Sequence, residues 1–133
     1  MASNLNAQYD YQWPMGYKGN PGDGDLSLLD FTGDTVKIYK YATLDFELEL
    51  PNGSSFICDE NGKLLLMTNN CAVYTADLDL VPNSDTLTPG PFYDQNCVEF
   101  GFYPASQSTL ILPEMGNDSV FYVVHKDSEL NDS

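Results

Sequence analysis

The stretch Ser54-Ser55-Phe56-Ile57-Cys58-Asp59-Glu60-Asn61-Gly62-Lys63-Leu64-Leu65-Leu66-Met67-Thr68 decides how this chain folds. Two apolar runs flank Asn61-Gly62. Asn and Gly both accept the positive φ that a two-residue hairpin turn requires. The reading is a pair of antiparallel strands, Ser54–Glu60 and Lys63–Thr68, with Glu60 opposite Lys63, Cys58 opposite Leu65 and Ile57 opposite Leu66. Just upstream, Leu44-Asp45-Phe46-Glu47-Leu48-Glu49-Leu50 alternates strictly, as a half-buried strand does. Asn52-Gly53 then supplies a second tight turn, which places Ser55 opposite Leu50 and Ile57 opposite Leu48. The result is a three-strand antiparallel meander.

Directly paired residues share a face. One face of the meander carries Phe46, Leu48, Leu50, Ile57, Leu64 and Leu66, and the other carries Phe56, Cys58, Leu65 and Met67. The inner strands are thus apolar on both faces. The runs Thr109–Leu112 and Val120–Val124 have the same character. Such strands need cover above and below, whereas a simple two-sheet sandwich alternates apolar with polar. Radially stacked sheets satisfy the pattern, because each blade of a propeller lies between two others. The expected fold is all-β: antiparallel meanders in a partial β-propeller-like arrangement. Burial is expected at Leu48, Ile57, Leu65, Leu66, Leu110, Leu112, Phe121 and Val123.

Composition agrees. Of 133 residues, 14 are Asp, 11 Asn, 10 Gly and 8 Pro, all turn formers, beside 9 Tyr and 7 Phe. No helical period stands out. The formal net charge is -15, with five lysines and no arginine. Phosphate recognition needs clustered cations, so nucleic acid is excluded as a partner. No apolar run approaches the ~18 residues of a membrane span. Residues 1–10 lack a full apolar leader, yet Asn4-Leu5-Asn6-Ala7-Gln8 looks like the end of a signal peptide; the alternative is a disordered N-terminus. Residues 11–133 form the β segment.

Three cysteines leave one odd, and no zinc spacing exists because His125 is the lone histidine. Asp77–Gly101 reads as a long irregular connection. A Cys71–Cys97 bridge across it stabilises by roughly 3–4 kcal/mol on the chain-entropy model. Cys58, in mid-strand, reads as a buried free thiol. The sequence does not fix the connectivity, but a bridge fits an exported protein.

Candidate chemistry is sparse. Asp23 and Asp25, in Asn20-Pro21-Gly22-Asp23-Gly24-Asp25, offer hard oxygen ligands for calcium, although the EF-hand pattern fails; Asp77 and Asp79 are a weaker pair. Glu47 and Glu49 match the carboxylate spacing of a glycosidase, as any i, i+2 strand pair does, and suit edge protection better. His125 is without a nucleophile motif and reads as structural. The aromatics Tyr9, Tyr11, Trp13, Tyr17, Tyr39, Tyr41, Phe92, Tyr93, Phe100, Phe102 and Tyr103 are either sugar- or peptide-stacking groups or inter-sheet packing. Asn52-Gly53-Ser54 and Asn117-Asp118-Ser119 match glycosylation acceptors and read more simply as turns.

The order of motifs resembles a known family. Ile57 to Asn69 is similar to a "D-x-N-G-x-L-L-F-Y-T-N" unit, Asn70-Cys71-Ala72-Val73-Tyr74 to "N-G-C-x-I-Y", and Val81 to Gly90 to "M-P-N-G-D-x-L-N-P-G". Gln107 to Pro113 with Gly116 to His125 resembles "Q-x-x-L-I-L-P-x-P-G-S-D-S-x-Y-Y-L-F-H". Together they resemble the propeller-like N-terminal region of secreted proteins from bacteria with type IX secretion. Met67 and Asn70 replace that family's Tyr and Gly, and its C-terminal sorting domain is missing. The resemblance implies a secreted or cell-surface propeller region. Repeats of ~40–50 residues allow two to three blades here, whereas closure needs about four or more, so the chain is expected to be either the start of a longer protein or an open unit that must pair.

The expected function is a non-catalytic, exported structural or binding module without a cofactor. Its partners would be surface proteins or carbohydrates, with self-association through exposed strand edges. The alternatives are the N-terminal part of a secreted hydrolase with its catalytic residues elsewhere, and a small calcium-binding β module.

Overall fold

The computed structural model describes residues 11–16, 25–43, 50, 54–99, 101 and 108–126. They form three small antiparallel sheets. The first has the order β1 (Gln12–Gly16), β2 (Asp25–Asp30), β3 (Lys37–Thr43). The middle one has β4 (Ser55–Cys58), β5 (Leu64–Thr68), β6 (Val73–Thr75). The last is the hairpin of β7 (Thr109–Glu114) and β8 (Asn117–His125). Among the described residues the sheets do not close into a barrel.

The middle sheet is the meander centred on Asn61-Gly62. Ile57 pairs with Leu66, as its sequence predicts. Cys58 pairs with Leu64 rather than Leu65, because a bulge interrupts the register between Ile57 and Cys58. A bulge adds one residue to one strand and turns the side chains beyond it to the opposite face. Leu64 therefore joins Phe56 and Met67 instead of Ile57 and Leu66. The other expected pairing, Leu50 with Ser55, is not what the described backbone shows at Leu50. Its amide donates to the Gly16 carbonyl at 3.3 Å, bridging antiparallel to β1. The rest of the 44–50 strand, Leu48 included, lies outside the described residues.

Both faces of the middle sheet are covered. Phe56, Leu64, Met67 and Tyr74 pack with Leu26 and Leu28 of β2, together with Leu50. Ile57, Leu66 and Val73 pack with Ile111 of β7 and with Phe121 and Val123 of β8. Alternation makes this possible: neighbours in one strand point to opposite faces, so two adjacent apolar residues serve two different cores. Burying each large side chain of this kind stabilises by roughly 1.5–3 kcal/mol.

Side chains and backbone also tie the layers. Gln12 joins first and middle sheets: its backbone amide donates to Cys58 Sγ, its Oε1 accepts from the Leu64 amide at 2.8 Å, and its Nε2 donates to Asp30 at 3.0 Å. Ser55 Oγ accepts from the Ile111 amide at 3.1 Å, joining middle and last sheets. At Gly16 an added Cβ would collide with Leu26 Cδ2, so a larger residue there would require the buried Leu26 side chain to shift.

The segment after β6 departs from a purely irregular connection. The Thr75 amide donates to Asp79 O, and the Val81 amide to Val73 O, so 79–81 lies along the free edge of β6. Ser84 Oγ accepts from the Val73 amide and donates to the Val73 carbonyl, closing that edge. Covered edges resist pairing with other chains. Further on, Pro91–Tyr93 form a short α-helix, α1, continued by a π-helical turn over Asp94–Val98. No helical period announces it, because it spans barely two turns. Pro91 at its first turn and the Cys97 bridge at its end hold it.

The sequence reading also buries Leu110 and Leu112, and this is corrected. Both are exposed, at 51% and 42%, while Ile111 between them is buried. The last sheet presents Ile111 inward, and its other face has no layer over it among the described residues. Leu65, Leu66, Phe121 and Val123 are half-buried and Ile57 is fully buried.

Candidate functional site

The expected disulfide is present: Cys71 and Cys97 are bonded across a separation of 26 residues. Cys58 is outside the disulfide and fully buried, with its thiol against the Gln12 backbone. The turn before the bridge is tightly built. Asn69 Oδ1 accepts from the amides of Cys71 and Ala72 at 3.0 Å each, and its Nδ2 donates to Gly101 O. Asn70 follows at φ 70°, a left-handed conformation that Asn and Gly tolerate best. The Asn70 side-chain amide is buried with neither of its polar atoms paired.

Among the described residues the carboxylates do not gather. Asp23 and the side chain of Asp25 lie outside the described residues, as do Glu47 and Glu49. Asp77 and Asp79 are both exposed, and the Asp79 amide donates to Thr75 Oγ1 in a surface turn. Among the described residues, no group of three or more His, Cys, Asp or Glu side chains is placed to hold a metal ion. His125 is exposed at the end of β8, opposite Thr109.

Of the expected aromatics, Trp13 packs with Phe31 at 5.1 Å and Phe56 at 6.2 Å between ring centroids. Tyr11 lies against Gly62, and Tyr93 donates its hydroxyl to Asp85 O. These three serve packing and loop closure. Tyr39 keeps an exposed ring. Tyr9, Tyr17, Phe100, Phe102 and Tyr103 are outside the described residues.

An open cleft of about 410 Å³ lies between first and middle sheets, lined by Gln12, Leu28, Lys63, Leu64, Ala76, Asp77 and Leu78. Its floor is apolar, and Lys63 and Asp77 are exposed side chains on it. The Gln12 amide behind it is already engaged with Leu64 and Asp30. Asp30 is held below the usual carboxylate range by the Thr32 hydroxyl first, then by the Thr32 amide and Gln12. The described lining offers surface for a small amphipathic group and no nucleophile paired with a base.

Besides Met115 in the β7–β8 turn and Val98 in the π-helical turn, exposed apolar side chains lie on the outer faces of the end sheets. On the last sheet, Leu110, Leu112, Val120, Tyr122 and Val124 are exposed. On the first, Met15 and Ile38 are exposed, Ile38 by 71%, while the part-exposed Trp13 reaches Phe56 of the middle sheet. Exposed contiguous apolar patches mark interaction sites. Reading apolar runs as buried on both sides hides this feature.

No protein-family model matches the chain, and neither a curated protein nor a solved structure matches it. No helix among the described residues is long and apolar enough to cross a membrane.

Proposed function

We propose that this chain is a non-catalytic, exported structural or binding module, built as a stack of small β-sheets like the first blades of a propeller. The observation that carries the reading is the middle sheet, covered on both faces, between two end sheets whose outer faces are exposed and apolar. That is the pattern of a layered array that takes further layers or partners at its ends. The Cys71–Cys97 bridge supports export, because disulfides persist in oxidising compartments. The resemblance to secreted proteins of bacteria with type IX secretion belongs to the same reading, with proteins or carbohydrates of the cell surface as partners.

Two measurements test it. Thiol labelling of the protein taken directly from the cells that make it should find Cys71 and Cys97 blocked and Cys58 reactive only after unfolding. Three reactive thiols would contradict export. A panel of ester, glycoside and peptide substrates should give no turnover above buffer; a rate that survives repurification and disappears on unfolding would make the protein a hydrolase.

A further inference from the structure

We infer that the outer face of the β7–β8 hairpin is a self-docking surface that pairs two copies of this chain about a two-fold axis. The inference rests on the stacked-sheet reading and names the partner of one end of the stack. The face has an internal order. Leu112 pairs with Tyr122 and Leu110 with Val124, so these four make two adjacent apolar rows. All four are exposed, Val124 by 55%. Towards the hairpin turn the register shifts between Pro113 and Glu114, so Glu114 pairs with Asn117 and Val120 is left exposed beside the shift; the Glu114 carboxylate is held on this face by the Tyr122 hydroxyl at 2.8 Å and by Asn117 Nδ2 at 3.0 Å. The next row towards the open end carries Lys126, which continues the alternation of Tyr122 and Val124. Its amide donates to Ser108 O at 2.7 Å, so the ladder extends to that row.

The sequence of rows is therefore acid, apolar, apolar, base. Turning a second copy by half a revolution lays Glu114 of each over Lys126 of the other. Leu112 and Tyr122 then lie over Leu110 and Val124. An isologous interface needs a patch that is complementary to itself in this way. Two sheets packed face to face stay close to aligned, which keeps the rows in register. Charge decides the occupant. The protein carries -15 overall, so copies repel unless a local basic group answers a local acid. Lys126 is one of only five cations in the chain, and it stands at the end of the face opposite Glu114. The patch is smaller than the ~800 Å² per partner of a standard interface, so the dimer is weak.

Sedimentation equilibrium over a hundredfold range of concentration, with circular dichroism confirming folded variants, tests this. The wild-type chain should pass from monomer to dimer. Glu114→Lys and Lys126→Glu should each weaken the dimer about tenfold or more, since each sets like charges opposite one another. The double variant Glu114→Lys/Lys126→Glu should restore it. Leu112→Asp should abolish it. A strict monomer at every concentration overturns the inference and leaves the export and turnover tests of the module untouched. Loss of the dimer in Leu112→Asp without rescue by the double swap overturns the two-fold arrangement, and shows the face stacking on something other than itself turned round.

Discussion

Gly62 turns the middle hairpin at φ 78°, with the Tyr11 side chain against it; an added Cβ would lie 2.9 Å from Tyr11 Cβ. Two separate costs then fall on any substitution, a left-handed backbone and a close contact. Gly62→Ala should lose about 2 kcal/mol in urea unfolding, and a loss below about 0.5 kcal/mol would mean that Tyr11 moves freely. Asn70 poses the opposite case. Its left-handed backbone suits glycine, and its amide is buried without partners, which costs about 1–3 kcal/mol. Asn70→Gly should be neutral or stabilising by about 1 kcal/mol by the same unfolding curve, despite the small void it leaves. Asp30 sets a pH dependence. Its carboxyl is held below 3.8 chiefly by Thr32, so its contribution is present above that value and lost as pH falls through the lower folded value. In thermal melts over that acid range, Asp30→Asn should flatten the dependence, and an unchanged slope would remove Asp30 as its source.

At the level of elements, the Cys71–Cys97 bridge closes the 26-residue excursion that carries the 79–81 edge and α1. Constraining such a loop in the unfolded chain is worth about 3–4 kcal/mol. Reduction should lower stability by about that amount and free the 76–101 segment for proteolysis, while β4 and β5 keep their ladder. A reduced protein as stable as the oxidised one would show that Ser84 and the Val73–Val81 bond hold the edge by themselves. The same elements show what could be read from sequence. Asn61-Gly62 announces β4 and β5 because that turn chemistry has few alternatives. The bulge at Cys58 does not show, since Leu64, Leu65 and Leu66 are interchangeable in an apolar pattern and only packing against Leu28 selects Leu64. Turn formers do separate β1, β2 and β3 in the sequence, Pro21-Gly22-Asp23-Gly24 and Gly33-Asp34, but no two-residue Asn-Gly turn fixes their register, and α1 is too short to display a period.

At the scale of the whole molecule, the chain is a layered stack whose interior layer is apolar on both sides and whose end layers are apolar on both sides too. The sequence distinguishes these two situations poorly, because a strand covered by another layer and a strand awaiting one have the same composition. This is why the burial of Ile57 was legible and the exposure of Leu110 and Leu112 was not. The candidate carboxylates Asp77 and Asp79 lie on a surface turn, and Asp23, Glu47 and Glu49 lie outside the described residues. The surfaces that offer themselves for function are made of ordinary strand residues. Side-chain methyl NOE spectroscopy tests the stack most directly. Met67 should show contacts with Leu26 and Leu28 of the first sheet. Ile57 and Val73 should show contacts with Ile111 and Val123 of the last. Contacts from both Met67 and Ile57 to the same outer sheet, or from neither set, would contradict a middle sheet covered on its two faces.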